Sequence, residues 1–184
     1  LEDLVSQDEI VDANFQIVHY DSPDRRGVDV ALLYRPDQFD YIDSESLPFT
    51  FSPTQVKITL NQEEQDYFRT RDILMVHGLI DGEHFAFYVA HLPSRIGGEG
   101  SDLRSRGAEL IYNHASEMEK KYPGIKIVVM GDMNDNPTDE SMTVWMHGKE
   151  DIKDVRQGDY FSPFTKMLAD GYGSLAYQGS WNIY

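Results

Sequence analysis

An α+β fold is what this sequence predicts, on three observations. Strand-like runs are joined by hairpin signals, helical periodicity is confined to a few separate segments, and strands and helices do not alternate as a doubly wound sheet requires. At 184 residues the chain suffices for one domain with a core and is short for two, so residues 1–184 are read as a single domain.

The elements follow in order. Leu1 to Val5 reads as the tail of a helix, and Phe15 to Tyr20 as a short strand entering the turn-forming Asp21-Ser22-Pro23-Asp24, which Gly27 closes. Val28 to Tyr34 is apolar except for Asp29, the pattern of a central strand covered on both faces. From Pro36 to Asp72 the chain is polar and carries Pro48 and Pro53. Edge strands and loops are expected there, with one strand at Gln55 to Leu60 where Val56, Ile58 and Leu60 alternate. Ile73 to Ile80 and Phe85 to Ala90 should pair antiparallel across the hairpin signal Asp81-Gly82. Ser101 is a candidate cap for a helix to about Lys121, because Leu103, Leu110, Ile111, Ala115 and Met118 share one face, and Pro123-Gly124 ends it. Ile125 to Met130 is the strongest strand signal, released by Gly131 into an acidic loop. Thr138 is placed as the cap of a short helix through His147, and Ser162-Pro163 as the start of another that stops at Gly171.

Charge narrows the function. A formal net charge of −16 repels a phosphate backbone, which weighs against duplex DNA without excluding nucleotides, phospholipid head groups or sugar phosphates. The absence of cysteine removes disulfides, zinc-thiolate sites and thiol nucleophiles, and leaves the compartment open, export included. No apolar stretch is long enough for a membrane span.

Two segments carry chemistry. In Val128-Val129-Met130-Gly131-Asp132-Met133-Asn134-Asp135-Asn136-Pro137, two-residue spacing at a strand end sends Asp132 and Asn134 to one side. A carboxylate there can orient a water or a cation, and a neutral amide can donate to a phosphate oxygen without adding charge. A plain strand-to-helix turn has the same composition and stays open as a reading. A calcium loop does not, because Pro137 sits where glycine is required and Thr143 where the bidentate glutamate belongs. The second segment, Ala90-His91-Leu92-Pro93-Ser94-Arg95-Ile96-Gly97-Gly98, sets a histidine and an arginine in a glycine-rich loop after a strand, suited to holding a phosphoryl group. His19, His77, His84, His114 and His147 lack such surroundings and are read as solvated.

Taken together, these motifs resemble the endonuclease/exonuclease/phosphatase superfamily. Gly131-Asp132-Met133-Asn134 matches its Gly-Asp-x-Asn motif, and His91-Leu92-Pro93-Ser94 its strand-end histidine motif. Arg26 to Tyr34, Thr70-Arg71-Asp72-Ile73-Leu74 and Gly173 to Trp181 agree, the last looking most like bacterial members of undefined substrate. The resemblance implies two mixed β-sheets packed face to face with outer helices, a four-layer sandwich, here incomplete at both termini. It also implies hydrolysis of a phosphoester or phosphodiester with Mg²⁺ or Mn²⁺, or alternatively Ca²⁺. Asp132 would hold metal and orient or deprotonate the attacking water, Asn134 would hold the phosphate, and His91 would stabilise developing charge. Arg71 and Arg95 are further phosphate candidates, Arg71 also as support behind the site, and Asp135 is read as a turn residue.

Departures from the pattern bear on the activity. The family's early asparagine and metal-binding glutamate, and its late Asp-His pair, are not identifiable, and Glu2 falls in a helix. A partial site with weak turnover, and sheet edges open to self-association, are therefore expected. A non-catalytic binding or scaffold domain on the same fold is the alternative. A calcineurin-like metallophosphoesterase is a weaker one: Gly131-Asp132-Met133-Asn134-Asp135 fits its pattern, but the flanking Asp-x-His and Asn-His pairs are absent.

Overall fold

The computed structural model describes residues 1–24, 26–49, 70–95, 101–177 and 179–184. The expected strand at Gln55 to Leu60 and the glycines of the 96–98 loop lie outside the described residues. The described residues form two compact units: 1–24 and 26–49 with 70–91 and 117–130, and 92–95 with 101–116, 131–177 and 179–184.

The first unit begins with a one-turn helix, α1 (Glu2–Val5), followed by β1 (Gln16–His19) and β2 (Ala31–Tyr34), paired antiparallel from Gln16↔Tyr34 to His19↔Ala31. Among the described residues β2 pairs with β1 alone and is half-buried throughout, so it is not the central strand its apolar run predicts. Only alternate side chains, Leu32 and Tyr34 with Val30 just before the strand, pack on the core cluster of Val18, Phe39, Leu74, Val76 and Val89. Two-sided cover belongs instead to β4. Among the described residues the four-stranded sheet runs β3 (Asp40–Leu47), β4 (Ile73–Ile80), β5 (Glu83–His91), β6 (Lys126–Asp132), with β3 at an edge as expected of the polar stretch. On β4, Leu74 and Val76 enter the core cluster while Ile73, Met75 and His77, pointing the other way, are also buried.

The β4–β5 hairpin is built as the sequence predicts. Leu74↔Val89 through Ile80↔Glu83 are in register, and Asp81 and Gly82 take φ of 52° and 80°. Positive φ at both central positions is what matches the turn to the twist of its strands. Gly78 is required for a different reason: a Cβ there would lie 2.3 Å from the Phe39 ring and 2.5 Å from the Asp40 carbonyl oxygen. The bare backbone of β4 is thus the floor on which Phe39 packs, edge-on to both Tyr34 and Phe87.

α2 (Ser101–Lys121) runs as predicted, with Asp102 in its first turn and Lys120 and Lys121 in its last, the order its dipole favours. Leu103, Ala108, Ile111, Ala115 and Met118 are buried at helical spacing. In the second unit, the helix expected from Thr138 to His147 is a single π turn at Ser141–Trp145. Its entry is organised by Asp139 rather than Thr138: the carboxylate accepts from the Asn136 N–H at 2.6 Å and the carbonyl from the Thr143 hydroxyl at 3.0 Å. Two short pairings follow, β7 (Gly148–Lys149) parallel to β8 (Tyr160–Phe161), and β9 (Leu175–Tyr177) antiparallel to β10 (Ser180–Asn182). Between them lies α3 (Phe164–Ala169), which Pro163 opens and Gly171, at φ 86°, closes.

Candidate functional site

The Asp132 turn sits where β6 ends, within the second unit. Gly131 takes φ 124° and Asn134 φ 52°, a left-handed conformation that asparagine tolerates better than most residues. Asp132 Oδ1 accepts the Asn134 backbone N–H at 2.9 Å, closing a turn around Met133. The Asn134 amide then donates to the Leu92 carbonyl at 2.9 Å, while the Leu92 N–H donates to the Asp132 carbonyl at 2.9 Å. Leu92 directly follows His91 in the chain, so the second sequence motif is stitched to the first. The turn reading is realised: Asp132 is exposed and its Oδ1 accepts the Asn134 N–H, and Asn134, 8% exposed, has its amide plane held by one of two N–H groups.

Behind this turn is a buried ion pair that sequence reasoning missed. Asp135 takes a 2.6 Å hydrogen bond from the Ser141 hydroxyl and lies 2.7 Å from Arg104 Nε, both side chains of the pair being 5% exposed. The Arg104 Nε–H is not aimed at that oxygen, so the contact is ionic, while Nη1 reaches the Pro93 and Ser94 carbonyls at 3.3 and 3.4 Å. Arg95 approaches Asp139 at 3.3 Å and Asp135 at 3.6 Å, with its guanidinium over the Tyr184 ring. Burial works against the Arg95 charge, but Asp139, Tyr184 and Asp135 outweigh it and raise its pKa. Asn136 ties in the C-terminal hairpin, donating to the Asn182 side chain at 3.1 Å and accepting the Ile183 N–H at 3.0 Å.

In the first unit, His91 ends β5 and its carbonyl accepts from Arg71 Nε at 3.1 Å. Arg71 is 5% exposed and pairs through Nη1 with Asp24 at 3.0 Å. Burial pushes the Asp24 carboxyl up, but the Arg26 side chain and backbone N–H, with Arg71, hold it at about 2. Arg71 thus links the His91 carbonyl to the Asp24 carboxylate. Asp24, 47 residues away in the chain, carries no signal beyond its turn composition. Two histidines read as solvated are not. His77 is fully buried, bonded to Asp43 at 3.1 Å and to His84 at 2.9 Å, and both rings pack on Tyr122. Burial lowers the His77 pKa against the opposing pull of Asp43.

Asp132 offers a hard carboxylate oxygen, and Mg²⁺ needs only one or two carboxylates beside waters and phosphate oxygens, so the residue fits that ion in kind. Among the described residues, the one gathering of three His, Asp or Glu ligand atoms lies elsewhere, at His19, Asp21 and Asp29.

The whole chain, residues 1–184, matches the endonuclease/exonuclease/phosphatase family, and it belongs to that family. No curated protein matches it. Among solved structures it is similar to an endonuclease/exonuclease/phosphatase family protein from Bacteroides thetaiotaomicron (18% identity, 80% of this chain and 50% of that one, TM-score 0.57). It is also similar to the human Nocturnin catalytic domain with bound sulfate (20% identity, 74% and 49%, TM-score 0.53). A third is D. rerio TDP2 complexed with a single-strand DNA product (13% identity, 78% and 46%, TM-score 0.51). These likenesses show the fold, and the chain spans about half the length of the structures it matches.

Proposed function

We propose that the chain carries part of the active site of a divalent-metal-dependent phosphoesterase, which hydrolyses a phosphoester or phosphodiester by in-line attack of water. The observation that carries this reading is the Asp132 turn. It sets the exposed Asp132 side chain beside an amide whose plane is fixed, and such fixed groups stabilise a phosphoryl transition state without reorganising. Asp132 aligns the water and draws its proton as the oxygen attacks phosphorus; the bond to the ester oxygen breaks, and that oxygen takes its proton from solvent. Asn134 donates to a non-bridging oxygen. His91, by the family motif, donates to the developing charge, and Arg71 positions the backbone that bears it. Mg²⁺ or Mn²⁺ held by Asp132 would supply charge neutralisation. Arg95 is drawn toward Asp135 and Asp139, and a phosphate would have to compete with those carboxylates for it.

The D. rerio relative is described with a single-strand DNA product, and single strands suit an acidic chain better than duplex DNA does. The test is hydrolysis of bis(p-nitrophenyl) phosphate with Mg²⁺ or Mn²⁺. Turnover abolished by EDTA and reduced about 100-fold or more by Asp132→Ala is expected; turnover indifferent to both overturns the reading. A binding domain without chemistry is the second reading, favoured because no gathering of three metal-ligating side chains lies at the Asp132 turn among the described residues. It predicts no turnover in any metal, with phosphate-ester binding retained.

A further inference from the structure

The loop joining β1 to β2 brings together three donors that the proposed chemistry does not use. A His19 ring nitrogen, an Asp21 oxygen and an Asp29 oxygen all lie within 4.8 Å of one another, in the first unit. His19 Nε2 and Asp29 Oδ2 are 3.3 Å apart, close to the roughly 3.4 Å between neighbouring ligands of a tetrahedral ion with bonds of about 2.1 Å. Asp29 is prepared for this from behind: its other oxygen, Oδ1, accepts the Ser22 backbone N–H at 2.8 Å, which fixes the carboxylate plane and leaves Oδ2 facing the imidazole.

We propose that His19, Asp21 and Asp29 form a binding site for a divalent transition-metal ion of the zinc class, which pins the loop between β1 and β2. One imidazole nitrogen and two carboxylate oxygens are a borderline donor set, favouring Zn²⁺ over Mg²⁺ or Ca²⁺, which take oxygen. Binding at Nε2 places the imidazole proton on Nδ1, and three protein ligands leave a fourth position for water. The ion would join the end of β1 to the residues entering β2. It would thereby brace the intervening Asp24, whose carboxylate holds Arg71. The site is independent of the Asp132 reading, and a binding measurement tests it whether or not the chain hydrolyses anything.

The experiment is titration of the protein with ZnCl₂ against a chromogenic zinc chelator, in the presence of millimolar Mg²⁺. The wild-type chain should take up one equivalent that Asp21→Asn and His19→Gln weaken at least tenfold and that Asp132→Asn leaves in place. Asp21→Asn is the decisive variant, because Asp21 is exposed and the change leaves the Ser22–Asp29 bond intact. Zinc uptake unchanged by both substitutions, or lost in Asp132→Asn, overturns the proposal, as does an equivalent that millimolar Mg²⁺ displaces.

Discussion

Asp24 shows how much one carboxylate can organise. It takes hydrogen bonds from the Arg26 backbone and side chain and pairs with the buried Arg71, which in turn holds the His91 carbonyl. Its pKa, lowered from 3.8 to about 2, makes that arrangement a stability term. A depressed carboxyl stabilises the fold above its unfolded pKa and loses that contribution as pH falls through the folded one, so the window lies between 3.8 and about 2. With allowance for solvent screening on the exposed Arg26 side, the contribution is roughly 1–2 kcal/mol at pH 7. Asp24→Asn should therefore lower urea stability by about that much at pH 7, and the difference from wild type should vanish as pH nears 2. An equal loss at both ends of the window would mean that packing, not charge, is at work. At this scale the sequence exposed Asp132, Asn134 and His91 through motifs. It hid Asp24, Arg104 and Ser141, because an ion-pair partner distant in the chain leaves no local pattern.

Elements were legible where the local signal was also the tertiary one. The β4–β5 hairpin turns on Asp81-Gly82, whose chemistry alone dictates the turn, and α2 follows its apolar period from Leu103 to Met118. β2 was misjudged because an apolar run says that side chains want cover and not how many faces receive it; here one face packs on the core. The helix expected after Thr138 is a π turn at Ser141–Trp145 with no side-chain cap, and the Asp139 carboxylate instead accepts the Asn136 N–H in the loop before it. Gly78 gives the sharpest test at this scale. Gly78→Ala puts a methyl against both the Phe39 ring and the Asp40 backbone, and the backbone cannot step aside without breaking the β3–β4 register. A loss of about 1–3 kcal/mol is expected in chemical denaturation. A neutral result would mean that β3 shifts freely.

For the molecule as a whole, pH is set against a buried base as well as against the carboxylates. His77 has its pKa lowered from 6.5 by burial, so the folded chain resists a proton that the unfolded chain accepts. A depressed pKa makes its contribution present above 6.5 and lost as pH falls below it, and thermal melts should show a falling Tm from pH 7.5 to 5.5. His77→Gln should flatten that slope; a slope unchanged in the variant would assign it to other groups. Among the described residues no helix is long and apolar enough to cross a membrane. The α+β class, the hairpin, the long helix, the family and the two motifs were determined by the sequence alone, because period, turn chemistry and short motifs are local properties of the chain. What surrounds each candidate side chain was decided only by tertiary structure: the Leu92 carbonyl under Asn134, Arg104 beside Asp135, Asp24 behind Arg71, and Asp21 and Asp29 around His19. Burial and charge pairing are set by which distant segments fold onto one another, and that information is spread over the whole sequence rather than written at any one place in it.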